Sequence, residues 1–373
     1  MGVAYSLRSN EVIQMNLCVA IGNLKYSGAE NVMNSLLKEF KKKNHNVSIM
    51  LINQEENSVV DNMRVYGCYV RETSKVKRRI QMLYKVYKVL KLNQFDTVIS
   101  FGFATSTFVL PAAKIAGIKS IHCERTNPQY DLRRRVDRWM QKLLIPLATG
   151  YIFQTQEIRD EFSKKIQARS VIIHNPVRQI VNDSLDYDNK EKIIVTASRL
   201  DNRVKNHILL IQAFAYVSKF YPEYRLFIFG DGNDKALYEQ LIHERKLEKQ
   251  VILCGESYSV VEAIKNADIF VFTSNYEGMP NALIEALSVG LPCITTDFHG
   301  GAARELIQND VNGVIIPVNG QKELEEELIH LIPDIERKKR LGMEARKICE
   351  SHSLEKISGE WLRFIEMVSE TRG

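Results

Sequence analysis

Short apolar runs rich in β-branched residues alternate along this chain with longer stretches whose apolar side chains return every three or four positions. In the first half the runs are Asn16 to Gly22, Asn46 to Asn53, Thr97 to Phe101, Lys119 to Cys123, Tyr151 to Gln154 and Ser170 to His174, with a helical pattern over Ala29 to Lys43. A polar stretch, Asn182 to Lys190, interrupts the alternation. It restarts at Lys192 to Ala197 and continues through Arg225 to Gly230, Val251 to Gly255, Asp268 to Thr273, Cys293 to Thr296 and Val314 to Pro317. Alternation of this kind predicts mostly parallel sheets covered by helices. At 373 residues the chain also exceeds the usual size of one hydrophobic core. The expected fold class is therefore α/β, with two doubly wound domains over residues 1–181 and 182–353, facing across a cleft at the carboxyl ends of their strands. Residues 354–373 read as a final helix.

Val76, Ile80, Leu83, Tyr87 and Leu90 recur at spacings of four, three, four and three, and seven cations between Lys75 and Lys91 crowd around them. The pattern predicts an amphipathic helix with a core-facing stripe and a solvated basic face. The net charge of +6 hides an asymmetry: residues 1–180 hold 28 Lys+Arg against 14 Asp+Glu, and the rest of the chain 23 against 31. The basic half is suited to an anionic surface such as a membrane, and Arg133, Arg134, Arg135 and Arg138 extend its patch. No helix-turn-helix, zinc or RNA-reading motif accompanies the charge, so nucleic acid is not an expected partner. The six cysteines have no CxxC or metal-ligand spacing and read as small buried hydrophobes of a reducing compartment. The first fourteen residues are too polar for a signal peptide, and no later segment reaches roughly 18 uninterrupted apolar residues. The expected location is cytoplasmic.

Candidate chemistry lies mainly in the second half. Thr196-Ala-Ser-Arg199-Leu-Asp-Asn-Arg-Val-Lys205-Asn206 is a strand followed by a loop holding two cations six residues apart, which can turn onto one diphosphate. Isolated, such an Arg and Lys are more often solvated charges. Phe229-Gly230-Asp231-Gly232 ends a strand in a glycine turn, which lets backbone approach a phosphate or base closely but more often only connects. Asp268 to Pro292 reads as an apolar strand, a polar loop, and a helix entered near Pro280 and closed by Gly290-Leu-Pro292. Glu277 then sits in the loop at the helix's positive end, beside free amides, and Glu285 sits on the helix. One carboxylate can hold hydroxyls of a transferred sugar and the other those of a ribose; a bare pair of acids is more often a dipole partner and a surface Glu. In the first half, Gly22 to Glu30, with Gly28, joins the first strand to the first helix, where an open sheet receives a phosphate or an acceptor. It lacks GxGxxG, which disfavours a dinucleotide. His122 follows a strand and can point into the cleft or be structural, with Glu124 and Arg125 as alternatives.

Taken in order, Ser198-Arg199 to Lys205-Asn206, Phe229-Gly-Asp-Gly232, and Glu277-Gly-Met-Pro-Asn-Ala-Leu-Ile-Glu285-Ala followed by Gly290-Leu-Pro292 resemble the donor-binding half of family 4 retaining glycosyltransferases of the GT-B fold. The likeness is strong over residues 190–320 and vaguer over 15–180, where Asn175-Pro176 resembles the interdomain segment. It implies two Rossmann-like domains with the last helix crossing back to the first. It also implies a nucleotide-sugar co-substrate, with a UDP-sugar favoured, and no metal or other cofactor. By the same resemblance Arg199, Lys205 and Gly28 attend the donor diphosphate. Glu277, Gly278, Met279, Pro280 and Asn281 attend the sugar, and Glu285, Gly230 and Gly232 the ribose and base. His122 would lie near the sugar and join Glu277 in catalysis. Two stretches depart from the common pattern: Gly278-Met279-Pro280 replaces Gly-Phe-Gly, and Gly300-Gly-Ala-Ala-Arg-Glu305 replaces Gly-Gly-x-Pro-Glu. The Met-Pro-Asn form is similar to that of transferases building bacterial capsule, O-antigen or lipid-linked oligosaccharide. The implied activity is retaining hexosyl transfer to a saccharide or lipid-linked saccharide at the inner face of the cell membrane. The rivals are a same-fold 2-epimerase or sugar phosphorylase, and a non-catalytic membrane or nucleic-acid binding protein.

Overall fold

The computed structural model describes residues 14–23, 28–55, 58–126, 135–177, 186–188, 190–257 and 259–371. The chain divides into two compact units, one of Met1–Cys123, Trp139–Gly150 and Trp361–Gly373, the other of Glu124–Arg138 and Tyr151–Glu360.

The first unit's strands are β1 (Asn16–Ile21), β2 (Asn46–Leu51), β3 (Ser58–Val60), β4 (Met63–Gly67), β5 (Thr97–Phe101) and β6 (Lys119–Cys123), in the order β3-β4-β2-β1-β5-β6. All neighbours run parallel except the β3/β4 hairpin. That hairpin is absent from the hydrophobic pattern read above. Its signal is the two-residue Asp61-Asn62 turn, whose φ angles of 50° and 59° are those a tight hairpin needs. On one face of the sheet Cys18, Ala20, Met50 and Val98 pack beneath Met82, Val86 and Leu90 of the helix Lys75–Asn93 and Val109, Ala112 and Ala113 of the helix Gly102–Ala116. This corrects the expected stripe at its start, where Val76 and Ile80 are 68% and 63% exposed, while Leu83, Tyr87 and Leu90 pack on the core as expected. The fully buried line is Met82, Val86 and Leu90, flanked by the partly buried Leu83 and Tyr87. Trp361, on the last helix Leu354–Glu370, stacks on Phe101 with ring centroids 5.7 Å apart. Gly28 opens the helix Gly28–Lys42, while residues 24–27 before it, and Arg133 and Arg134, lie outside the described residues.

The second unit contains the parallel pair β7 (Gly150–Phe153, entering from the first unit) and β8 (Ser170–Ile172). Its larger sheet is built from β9 (Ile193–Ala197), β10 (Arg225–Phe229), β11 (Val251–Gly255), β12 (Ile269–Phe272), β13 (Cys293–Thr296) and β14 (Val314–Ile316), in the order β11-β10-β9-β12-β13-β14. Every neighbouring pair is parallel. Because side chains alternate along a strand, Ile194, Leu226 and Ile228 enter one core with Leu210, Phe214 and Leu328, while Val195 and Phe270 enter another with Leu283, Leu287 and Phe298. From β9 the chain winds outward to β10 and β11, then returns to the other side of β9 and winds through β12, β13 and β14. The reversal between β9 and β12 is the topological switch point, and ligands of open sheets bind at the strand ends there.

Candidate active site

The loops leaving β9 and β12 meet at this switch point. After β9 comes one helical turn, Asn202–Lys205, closed by Asn206 in the left-handed region at φ 49°. After β12 a loop runs to Pro280, which precedes the helix Asn281–Ser288. The two loops are sewn together: Asn275 N donates to Val204 O (2.8 Å), Asn275 Nδ2 to Arg203 O (2.9 Å) and Thr273 Oγ1 to Lys205 O (3.0 Å). This stitching brings Lys205 Nζ onto Glu277 Oε1 as an ion pair. Ser274 Oγ donates to the same oxygen at 2.7 Å, and the Phe272 ring lies 5.4 Å from the ammonium. Each partner is 13% exposed, so the attraction is screened far less than at an open surface. The sequence assigned the two residues to different parts of one donor, and here they touch.

The backbone of Glu277 is braced from behind. Its N–H donates to His299 O at 2.9 Å, and Gly300 follows at φ 113°, so close that a Cβ there would stand 2.0 Å from Glu277 O. Gly300 is itself pinned, its N–H donating to Glu157 Oε1 at 2.7 Å and its carbonyl accepting from Thr155 Oγ1 at 2.5 Å. Gly278 passes over Arg125, where an added Cβ would meet Arg125 O at 2.2 Å. Asn175, fully buried, donates through Nδ2 to Met279 O (3.0 Å) and Asn281 Oδ1 (2.7 Å). Met279 and Pro280 are buried too. Sequence reasoning missed Thr155 and Glu157. The available signal was modest: Thr155 is a helix N-cap, its Oγ1 accepting from Ile158 N.

The glycine turn after β10 lies on the loop after β9. Ser198 N donates to Phe229 O and Leu200 N to Asp231 O, both at 2.9 Å. A Cβ on Gly230 would stand 1.9 Å from Ser198 O, and one on Gly232 would stand 2.3 Å from Leu200 O. Arg199 projects from this sandwich, exposed and without an ion pair among the described residues. Beneath it His207 Nε2 and Ser198 Oγ are 2.8 Å apart, and burial pushes the imidazole down to about 3, keeping it neutral. Glu285 is 3% exposed on the Asn281–Ser288 helix rather than at the surface. His122 belongs to the first unit, on β6, fully buried with Nδ1 2.7 Å from Ser106 Oγ. Glu124, also buried, accepts through Oε1 from Arg125 N (3.0 Å) and Thr126 N (3.4 Å).

The family described as Glycosyl transferases group 1 matches residues 177–348, and the one described as Glycosyltransferase Family 4 matches residues 26–178. Together they run end to end from the first helix to the second unit's last helices. This chain is a glycosyltransferase of the GT-B fold. The transferase is 26% identical over 373 residues to the GalNAc-alpha-(1->4)-GalNAc-alpha-(1->3)-diNAcBac-PP-undecaprenol alpha-1,4-N-acetyl-D-galactosaminyltransferase of Campylobacter jejuni, covering 95% of this chain and 99% of that one. It is 28% identical over 342 residues to an uncharacterized glycosyltransferase of Methanocaldococcus jannaschii, covering 77% and 83%. Among solved structures it matches Anabaena HepE in complex with UDP and glucose, with a TM-score of 0.79 at 17% identity over 95% of this chain and all of that one. At that identity the likeness speaks to fold. Among the described residues no helix is long and apolar enough to cross a membrane.

Proposed function

We propose that the enzyme is a family 4 member moving a hexosyl group from a nucleotide-diphosphate sugar, a UDP-sugar in preference, to a saccharide or lipid-linked saccharide, with retention, in surface polysaccharide biosynthesis. The observation that carries the reading is the Lys205–Glu277 pair at the switch point of the second sheet, with Arg199 on the same loop as Lys205. As the sugar–phosphate bond breaks, negative charge builds on the diphosphate. Lys205, Arg199 and the amides opening the helix Asn281–Ser288 neutralise it, so no metal is required. Glu277 then turns from the ammonium to the sugar hydroxyls, with the Gly278 to Asn281 turn around them. Glu285, Gly230 and Gly232 serve the ribose and base.

No side chain is assigned as a covalent nucleophile; a leaving-group oxygen assisting the acceptor hydroxyl on the same face accounts for retention. The relative in Campylobacter jejuni is named for an undecaprenol-linked acceptor, which supports the lipid-linked choice. The enzyme works at the cytoplasmic side of a membrane, with its basic first half toward the lipid. A thermal-shift screen against UDP-, GDP- and ADP-sugars tests the donor, because a ligand of the native state raises the melting temperature. A UDP-sugar is expected to give the largest rise, and no rise with any nucleotide sugar would refute the reading. Conversion of the donor without any acceptor would favour an epimerase instead.

A further inference from the structure

The row of the helix Lys75–Asn93 that the core leaves out is not merely polar. Lys77, Ile80, Tyr84, Lys88 and Lys91 follow one another at spacings of three, four, four and three, so they form one line about 21 Å long at the helical rise. All five are exposed, Ile80 by 63% and Tyr84 by 56%, and Val76 beside them by 68%. The helix has seven cations and no acid. Its inward cations are used by the fold: Arg78 lies over the Tyr69 ring at 5.8 Å, and Lys85 donates to Glu55 O and Tyr69 O. The outward Lys77, Lys88 and Lys91 form no ion pair among the described residues, and Lys88 sits 5.0 Å from the Tyr84 ring. The nearest preceding acid, Glu72, is occupied at the helix entry, where it accepts from Thr73 Oγ1 and Ser74 N.

We propose that this face is a docking surface for an anionic lipid bilayer, with Ile80, Tyr84 and Val76 entering the headgroup boundary and Lys77, Lys88 and Lys91 resting on lipid phosphates. Charge selects this occupant: an unopposed cationic line interleaved with an aromatic and aliphatic row fits a surface that is anionic outside and apolar within. A second copy of the chain would bring the same cations against themselves. Nucleic acid would satisfy the lysines and leave the aliphatic row without a partner. The purpose of the contact rests on the lipid-linked acceptor proposed above, but the surface itself belongs to the first unit alone.

The test is flotation of the full-length protein with vesicles of phosphatidylcholine containing rising fractions of phosphatidylglycerol. Wild type is expected to bind steeply with anionic fraction and to release in high salt. At roughly fivefold per cation near the surface, K77Q/K88Q/K91Q should bind about 100-fold more weakly. I80S/Y84S should lose binding while keeping every charge, which separates insertion from plain attraction. Binding indifferent to phosphatidylglycerol, full binding by either variant, self-association abolished by I80S/Y84S, or an oligonucleotide that binds wild type but not the lysine variant would each overturn the proposal. Both variants should keep the wild-type thermal shift with a UDP-sugar, so a failure of docking is distinguishable from a failure of the transferase reading.

Discussion

Lys205 and Glu277 are separated by 72 positions in sequence, and the ammonium of one is the ion-pair partner of the other's carboxylate. Two groups proposed for different ends of one donor therefore start by neutralising each other, and truncating either leaves a largely buried charge. Lys205→Ala and Glu277→Ala are each expected to lower transfer by at least about 100-fold. Each should also lower stability by about 1–3 kcal/mol in urea titrations, and the double variant should recover stability without activity. Near-normal turnover in either single variant would sink the assignment.

Gly300 lies against the backbone of Glu277, and Glu157 holds Gly300 in place. Gly300→Ala places a Cβ against Glu277 O in a backbone region that side chains avoid, so transfer should fall sharply along with a stability loss of about 1–3 kcal/mol. Glu157→Ala removes the acceptor of Gly300 N and should lower kcat about tenfold with little change in the donor KM. Glu157→Gln retains a carbonyl oxygen at that place and should restore most of the rate. If Gln and Ala behave alike, the brace is not acting through that hydrogen bond.

Asp268 and Lys338 form a second buried pair, at 2.7 and 2.9 Å, with the Tyr224 hydroxyl donating to the same carboxylate at 2.7 Å. Lys338→Met leaves that carboxylate without its counter-charge and should cost about 3–5 kcal/mol. Adding Asp268→Asn to it should return much of that loss. A melting curve unmoved by Lys338→Met would show that the pair is dispensable.

Acid should destabilise the second unit through two histidines. His352 lies 2.9 Å from His174, and burial, then the charge of His174 and of Lys356, pushes it down to about 4. Burial, then Lys205, takes His207 to about 3. Both native pKa values are depressed, so below about pH 6.5 the unfolded chain binds protons that the folded chain refuses. Stability is therefore full above that pH and is lost as pH falls toward 4, with a slope of about 1 kcal/mol per unit for each histidine. Urea midpoints between pH 7 and 4.5 should flatten in His352→Asn; an unchanged slope would remove His352 from the account.

Much of this molecule was legible in its pattern. The strands Thr97–Phe101, Lys119–Cys123, Val251–Gly255 and Cys293–Thr296 coincide with short runs read at the same bounds, because such runs sit between turn residues and helical patterns. Ser58–Val60 and Met63–Gly67 escaped, the first being only three residues long and the second interrupted by the exposed Arg64. The face of the Lys75–Asn93 helix was read correctly at Leu83, Tyr87 and Leu90 and wrongly at Val76 and Ile80, because the core covers the helix only from Met82 onward. At the site, Glu277 and Lys205 were visible as residue types at strand ends. Their pairing depends on hydrogen bonds between residues 68 to 72 positions apart, and the brace through Thr155 and Glu157 on bonds 145 and 143 positions apart.

The interlock of Gly230 and Gly232 with Ser198 and Leu200 has a consequence for anyone wishing to change the donor. Where two loops lie backbone on backbone, neither can be reshaped by adding bulk at the contact, since any side chain there strikes a carbonyl before it reaches a ligand. Asp231 belongs to the same turn, its Oδ1 accepting from Gly232 N at 2.8 Å, so the contact holds side chain as well as backbone in place. A selection for a new nucleotide sugar should therefore leave Gly230 and Gly232 untouched.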